Sequence, residues 1–150
     1  MTEIPDKPKY RITAVAAWTV AASMSLFVAS LPQDAFYIDR ADDPRAWSLG
    51  FGLLLVGWLA VLDGVPAWLA NPAVLAAWIL LLVRFRRTAL VMAALALLLA
   101  LSFLLCDRVL TDEAGGRSRV TGYGSGYWCW VGSMAVAFFA SMVDLSTRRR

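Results

Sequence analysis

The 36 residues from Ser48 to Val83, SLGFGLLLVGWLAVLDGVPAWLANPAVLAAWILLLV, hold one ionisable side chain, Asp63. A bilayer core takes about 20 helical residues to cross, at roughly 1.5 Å each. The stretch is too long for one straight span and barely long enough for two. How it folds decides which side of a membrane every later loop faces. Ser48–Leu62 reads as a helix, with glycines at 50, 52 and 57, and Asp63, Gly64 and Pro66 break it. Asn71 and Pro72 form an N-cap and first-turn pair, so a second helix is expected from there to about Arg87. GVPAWLA, between the two, is expected at an interface or in a re-entrant bend. Non-helical backbone survives at membrane depth only where protein or a wet cavity covers it.

The rest of the chain is made of similar material. Of its 150 residues 60% are hydrophobic and 17% charged, and mean hydropathy is +0.64. Soluble domains run about half apolar, and here the apolar residues form long runs rather than helical spacing. Ile12–Leu31 reads as a first spanning helix. The rival reading is a signal peptide, but this run of about 20 exceeds the usual apolar core of roughly 7–15. Thr88–Cys106 carries no charge, Gly or Pro, and a last helix is expected over Trp128–Val143. The expected fold is an all-α integral membrane protein with five hydrophobic segments, forming one helical transmembrane domain over 1–150. Residues 1–11 are a loose tail and 145–150 a basic one. Ala17, Ala21, Ser25 and Ala29, and again Ser133, Ala137 and Ser141, repeat every four residues as seams that let helices approach closely.

Two polar loops interrupt the runs. Residues 32–47 are acidic, with a turn at Asp43–Pro44 and Trp47 at an interfacial position. In residues 107–127, Val109–Thr111 and Ser118–Thr121 flank Glu113-Ala-Gly-Gly, giving a short extracytoplasmic β-hairpin at 108–121. Two strands alone are marginal, so the hairpin must lean on something.

Charge separates the topologies. Twelve Arg and two Lys give a net charge of +3, clustered at Lys7, Lys9 and Arg11, at Arg84, Arg86 and Arg87, and at Arg148–Arg150. Five crossings divide the basic residues six against eight, too evenly to orient the chain. Four crossings divide them nine against five, with all three clusters on one face. The positive-inside rule therefore favours four crossings, both termini cytoplasmic, and 48–83 as one crossing made from a broken pair of segments. The same clusters read as orientation signals rather than nucleic-acid contacts. An Arg-over-Lys, Ala-rich composition suits a GC-rich bacterial genome, hence a bacterial inner membrane. The chain has no His, which excludes His-ligated haem or zinc and Ser-His-Asp chemistry.

Ala67-Trp68-Leu69-Ala70-Asn71-Pro72, LSFLLC at 101–106, DEAG at 112–115 and TGYGSGYW at 121–128 carry a resemblance. On them the region from about 48 to 130 resembles a group of small, uncharacterised multi-pass bacterial membrane proteins. These have a WLANP box and a GYGxGYW segment before the last helix. The resemblance implies a shared membrane fold and brings no assigned activity to any residue.

Candidate functional residues follow from chemistry. Asp63 is the one acid between Trp47 and Arg84. Intramembrane acids are costly and often mark ion sites, whereas an acid at a chain break can simply meet water, backbone amides or Asn71. Trp68 and Asn71 belong to the break. Tyr123, Tyr127 and Trp128 alternate with glycines and fit an aromatic belt, a headgroup site or a partner surface. Trp58 and Trp78 need acceptors for their indole N–H groups and are expected to face protein. Cys106 and Cys129 flank one outer loop, where either a disulfide or two free thiols would be compatible with the sequence. Asp34, Asp39, Asp42 and Asp43 could in principle hold a cation for a lipid-directed enzyme. No spacing fits a metal site, a cofactor or a nucleophile–base pair. The expected function is non-enzymatic: an accessory or toxin-immunity type of protein in the lipid bilayer, binding a protein partner or a second copy. The alternative is a small oligomeric transporter or channel using Asp63 and the broken 48–83 segment.

Overall fold

The structure, a computed structural model, describes residues 14–40, 42–45, 48–110 and 116–146. Helix α1 covers Ala14–Ser30, and strand β1 covers Phe36–Ile38. The long apolar stretch yields two short helices, α2 (Gly50–Val56) and α3 (Leu59–Leu62), then a 3-10 turn at Pro66–Leu69 and helix α4 (Ala70–Leu82). Helix α5 is Arg86–Ser102, with a 3-10 turn over Phe103–Leu105. Strands β2 (Arg108–Leu110) and β3 (Arg117–Tyr123) precede helix α6 (Ser125–Ser146). The protein is mostly helical. Arg86–Leu105 and Ser125–Leu145 are long and apolar enough to cross a membrane, while Ala16–Ser30 and Pro66–Leu82 are apolar but shorter.

An all-helical fold with a lone hairpin needs correcting. The sheet has three antiparallel strands in the order β1-β3-β2. The third strand comes from the loop after α1, whose acidic composition masks the FYI triplet. It pairs Phe36 with Tyr123 and Ile38 with Val120, across a bulge between Tyr37 and Ile38. That is the support a two-stranded hairpin lacks. Residues 111–115 of the expected turn, the 1–11 tail, Trp47 and Arg148–Arg150 lie outside the described residues.

The four longer helices run antiparallel in turn. α1 packs along α6, α6 along α5, and α5 along α4. The Tyr127 hydroxyl meets the Ala100 carbonyl at one end of the α5–α6 pair, and Arg86 meets Asp144 at the other. Ser30, Ser102 and Ser125 therefore share the end of the bundle that carries the sheet. A relay crosses the middle. Trp78 Nε1 donates to Ser23 Oγ at 2.8 Å, and Ser23 Oγ donates to the Ser133 carbonyl at 2.6 Å, tying α4, α1 and α6.

On α5 residue sizes are inverted relative to a soluble bundle. Its inward side chains are Ala89, Ala93, Ala96 and Ala100, each at 0% exposure, while Val91 (62%) and Leu98 (67%) point out. Ala70, Ala73 and Ala77 of α4 are buried likewise, beside the larger Val74, Trp78 and Leu81, with Leu75 and Ile79 outside. Small residues inside let backbones approach closely, the arrangement used where lipid provides no hydrophobic drive between helices. The α6 seam, Ser133, Ala137 and Ser141, is buried. The expected α1 seam is not: Ala17, Ala21, Ser25 and Ala29 are exposed, and α1 buries Ala16, Val20 and Ser23 instead. A four-residue spacing on an Ala-rich helix occurs on more than one face, so it did not select the contact face.

Ser48–Leu62 is not one helix either. Trp68 Nε1 donates to the Leu54 carbonyl at 3.1 Å, taking the acceptor that a continuous helix would offer the Trp58 N–H. A Cβ at Gly57 would lie 2.8 Å from the Trp68 ring, so the break also needs a glycine. α3 then closes with Gly64 at φ +84°, the Val65 N–H reaching the Ala60 carbonyl and the Gly64 N–H that of Val61, a Schellman end. The α4–α5 turn repeats the motif with Arg84, at φ +67°, in the glycine position.

Candidate functional site

At the sheet end lies a cavity of about 470 Å³, within the range of small-molecule sites. Its roof is the arm formed by α2 and α3, which contributes Leu53, Leu54, Gly57 and Ala60. Phe27 of α1, Leu31 of the turn after it, Phe103 and Tyr127 form the wall opposite, and Asp63 and Leu110 stand at the edge. The arm leaves and returns at the same end. Gly50 sits against Ser30 and Leu31, its N–H bonding the Gln33 carbonyl, while Asp63 pairs with Arg117 of β3.

The polar groups around the cavity are committed to the fold. Trp130 Nε1 donates to Asn71 Oδ1 at 2.8 Å, Tyr127 to the Ala100 carbonyl at 3.0 Å, and Ser30 Oγ to the Phe27 carbonyl at 2.6 Å. Among the described residues every buried side-chain nitrogen or oxygen has a partner. The one charged side chain in the lining is Asp63, about a quarter exposed and joined at 2.5 Å to the half-exposed Arg117 outside it. Such an arrangement can hold an apolar body with a charged group at the rim.

The structure gathers four of the sequence candidates here: Asp63, Trp68, Asn71 and Tyr127. Their roles differ from the expectation. Asp63 takes Arg117, 54 residues away, rather than Asn71 or backbone amides. Asn71 lies in the first turn of α4 and accepts from Trp130 instead of capping. Tyr127 is 2% exposed, so it anchors no headgroup belt. It stacks at 4.9 Å on Tyr123, which in turn meets Phe103 at 6.0 Å. Burial foremost, then the charges of Cys106 and Asp107, raises the Tyr123 phenol above its ordinary range. Trp128 is exposed. The glycines between these aromatics permit contact with the turn after α1: a Cβ on Gly126 would lie 2.8 Å from the Gln33 carbonyl oxygen.

Cys106 and Cys129 are free thiols with different neighbours. Gln33 Nε2 lies 3.8 Å from Cys129 Sγ, and Cys106 Sγ lies 3.3 Å from the Arg108 carbonyl. Burial raises the Cys106 thiol first. The Asp107 and Asp63 carboxylates add to that, and a backbone bond at Arg108 and the Arg117 guanidinium oppose it. Trp78 is buried as expected, whereas Trp58 is half exposed. The acids of the 32–47 loop are not drawn together: Asp34 accepts from Ser48 and Asp43 from the Arg45 N–H. Among the described residues no group of three His, Cys, Asp or Glu could hold a metal ion. Sequence reasoning missed Arg117, Phe103 and the Leu54 carbonyl, since no local pattern marks a partner 14 or 54 residues distant. Comparison with protein-family models, with curated proteins and with solved structures returned no match.

Proposed function

We propose that this chain is a non-enzymatic protein of a bacterial inner membrane. It crosses four times, through α1, α4, α5 and α6, with both termini cytoplasmic, and binds a protein partner through its sheet end. The alanine seams buried on α4 and α5, with large apolar side chains such as Leu75, Val91 and Leu98 exposed outside them, support the membrane. The antiparallel course of the four helices and the return of the arm to its own side support the count. With that topology the turn at Arg84–Arg87 and both tails fall together, nine basic residues against five.

The observation that carries the binding role is the apolar rim of the sheet end. Leu62 and Leu105 are 79% and 86% exposed beside the cavity, on elements fixed by the sheet and the Asp63–Arg117 pair. Photo-crosslinkers at positions 62 and 105, compared with 79 and 91 on the outer helix faces, test it. A discrete protein adduct is expected from the rim positions alone. Equal adducts from all four positions, or none from the rim, would refute the role. The transporter alternative keeps one supporting feature, an acid lining the cavity. Flux in proteoliposomes that vanishes with Asp63→Asn would favour it instead.

A further inference from the structure

The outer face of the β2–β3 hairpin is charged in a way the fold does not require. Arg108 and Arg119 are directly opposite across the two strands, and Arg117, opposite Leu110, projects from the same face. Like charges at directly opposed positions destabilise an antiparallel pair. Neither Arg108 nor Arg119 has a side-chain partner among the described residues, and Arg117 has Asp63 alone. The described acids at this rim are Asp39, whose N–H bonds the Arg119 carbonyl, Asp63 and Asp107, and among the described residues Asp63 alone is ion-paired with one of the three arginines. Leu110 and Asp63 belong both to this rim and to the cavity lining, so the arginine face and the cavity mouth are continuous.

We infer that the cavity and the hairpin together form a site for one anionic phospholipid. An acyl chain lies under the α2–α3 arm, and its phosphate meets Arg108, Arg117 and Arg119. The cavity suits a chain because its walls are aliphatic and aromatic, and the polar groups lining it are already bonded within the protein. The rim suits a phosphate because guanidinium forks bind its oxygens through charge-assisted bonds, and an anion there relieves the Arg108–Arg119 repulsion. The phosphate competes with Asp63 for Arg117, so occupancy also loosens the arm's tie to the sheet. The site rests on the membrane reading, which supplies the lipid and sets the sheet end at headgroup depth.

The test is native mass spectrometry of the full chain, delipidated in detergent and titrated with dioleoyl phosphatidylglycerol or dioleoyl phosphatidylcholine. One phosphatidylglycerol per chain is expected, retained about tenfold better than phosphatidylcholine, because the two share the phosphate but the choline adds a cation beside three arginines, a difference of about 1.4 kcal/mol. Arg108→Gln with Arg119→Gln is expected to abolish that preference. Ala60→Trp, which fills the cavity, is expected to abolish retention of both lipids. Leu53→Trp fills it from another turn of the arm and covers the case in which the first variant fails to fold. Glycerol phosphate, the headgroup alone, is expected not to compete. Undiminished retention in the folded tryptophan variants, or equal retention of both lipids by the wild type, overturns the site. Displacement by glycerol phosphate at equal concentration also overturns it, by removing the chain from recognition. Failure of the membrane reading shows separately, as a chain that stays monomeric and dispersed without detergent.

Discussion

Leu95 is the residue that best separates lipid from water as the surroundings of this bundle. It is the tenth residue of the Arg86–Leu105 segment, on the outer side of α5, and 43% exposed. At about 1.5 Å per residue the segment is about 30 Å long, and Leu95 sits about 14 Å from its start, near the midplane of a bilayer core. Leu95→Asp exchanges a residue worth about −0.5 kcal/mol at that depth for one costing about +3. The change of about 3.5 kcal/mol corresponds to a factor of roughly 400 in insertion of α5. On a water-exposed surface the same change stays within about 0.5 kcal/mol, because the side chain fills no packed position. The assay is protease protection of α5 in inverted membrane vesicles, together with the fraction of chain resisting alkaline extraction. Wild type is expected to be protected and resistant, and the variant largely extracted or degraded. A Leu95→Asp chain that is inserted, extracted and unfolded like wild type would refute the lipid-facing assignment of this helix side.

Ala93, directly inside, should show the opposite sensitivity: Ala93→Leu is expected to cost about 2 kcal/mol by overpacking, read by SDS unfolding in mixed micelles, while Val91→Leu stays neutral. Arg84→Gly is expected to stabilise by about 1 kcal/mol, since glycine enters the left-handed region without the Cβ penalty, and Gly64→Ala to destabilise by a similar amount. In a Cys129→Ser background, alkylation of Cys106 is expected to need pH above the ordinary thiol range. Removing the carboxylate with Asp63→Asn takes away a charge that raises the thiol, so the rate at a fixed alkaline pH rises. Arg117→Gln removes a charge that lowers it, and the rate falls. Shifts in the same direction for both variants would contradict the geometry around Asp63.

The helices were legible because long apolar runs have few ways to be arranged. The α5 segment and the α6 seam could be read from composition and spacing, and so could the chain break at Asp63–Pro66. What was not legible depended on distant partners. The interruption at Gly57 follows from a tryptophan that takes the Leu54 carbonyl, and β1 follows from an edge offered by β3. The outward side of α1 shows the same limit. Its alanines meet the spacing rule, but packing is decided by the neighbour, and Ser133 and Trp78 select the face that carries Ser23. At the candidate site, Asp63 and the WLANP box stood out as breaks in apolar monotony, whereas Arg117 looked like any loop arginine until the fold brought it to Asp63.

Helix α1 has its main neighbour in α6, about a hundred residues later, and the strand after it is completed by residues 117–123. During synthesis, then, α1 and β1 must wait without their mates, and a ribosome stalled before position 120 releases a fragment with both a helix side and a strand edge uncovered. Quality control would meet that unfinished pairing first, so a chain ending before α6 should be degraded in cells far faster than the full one.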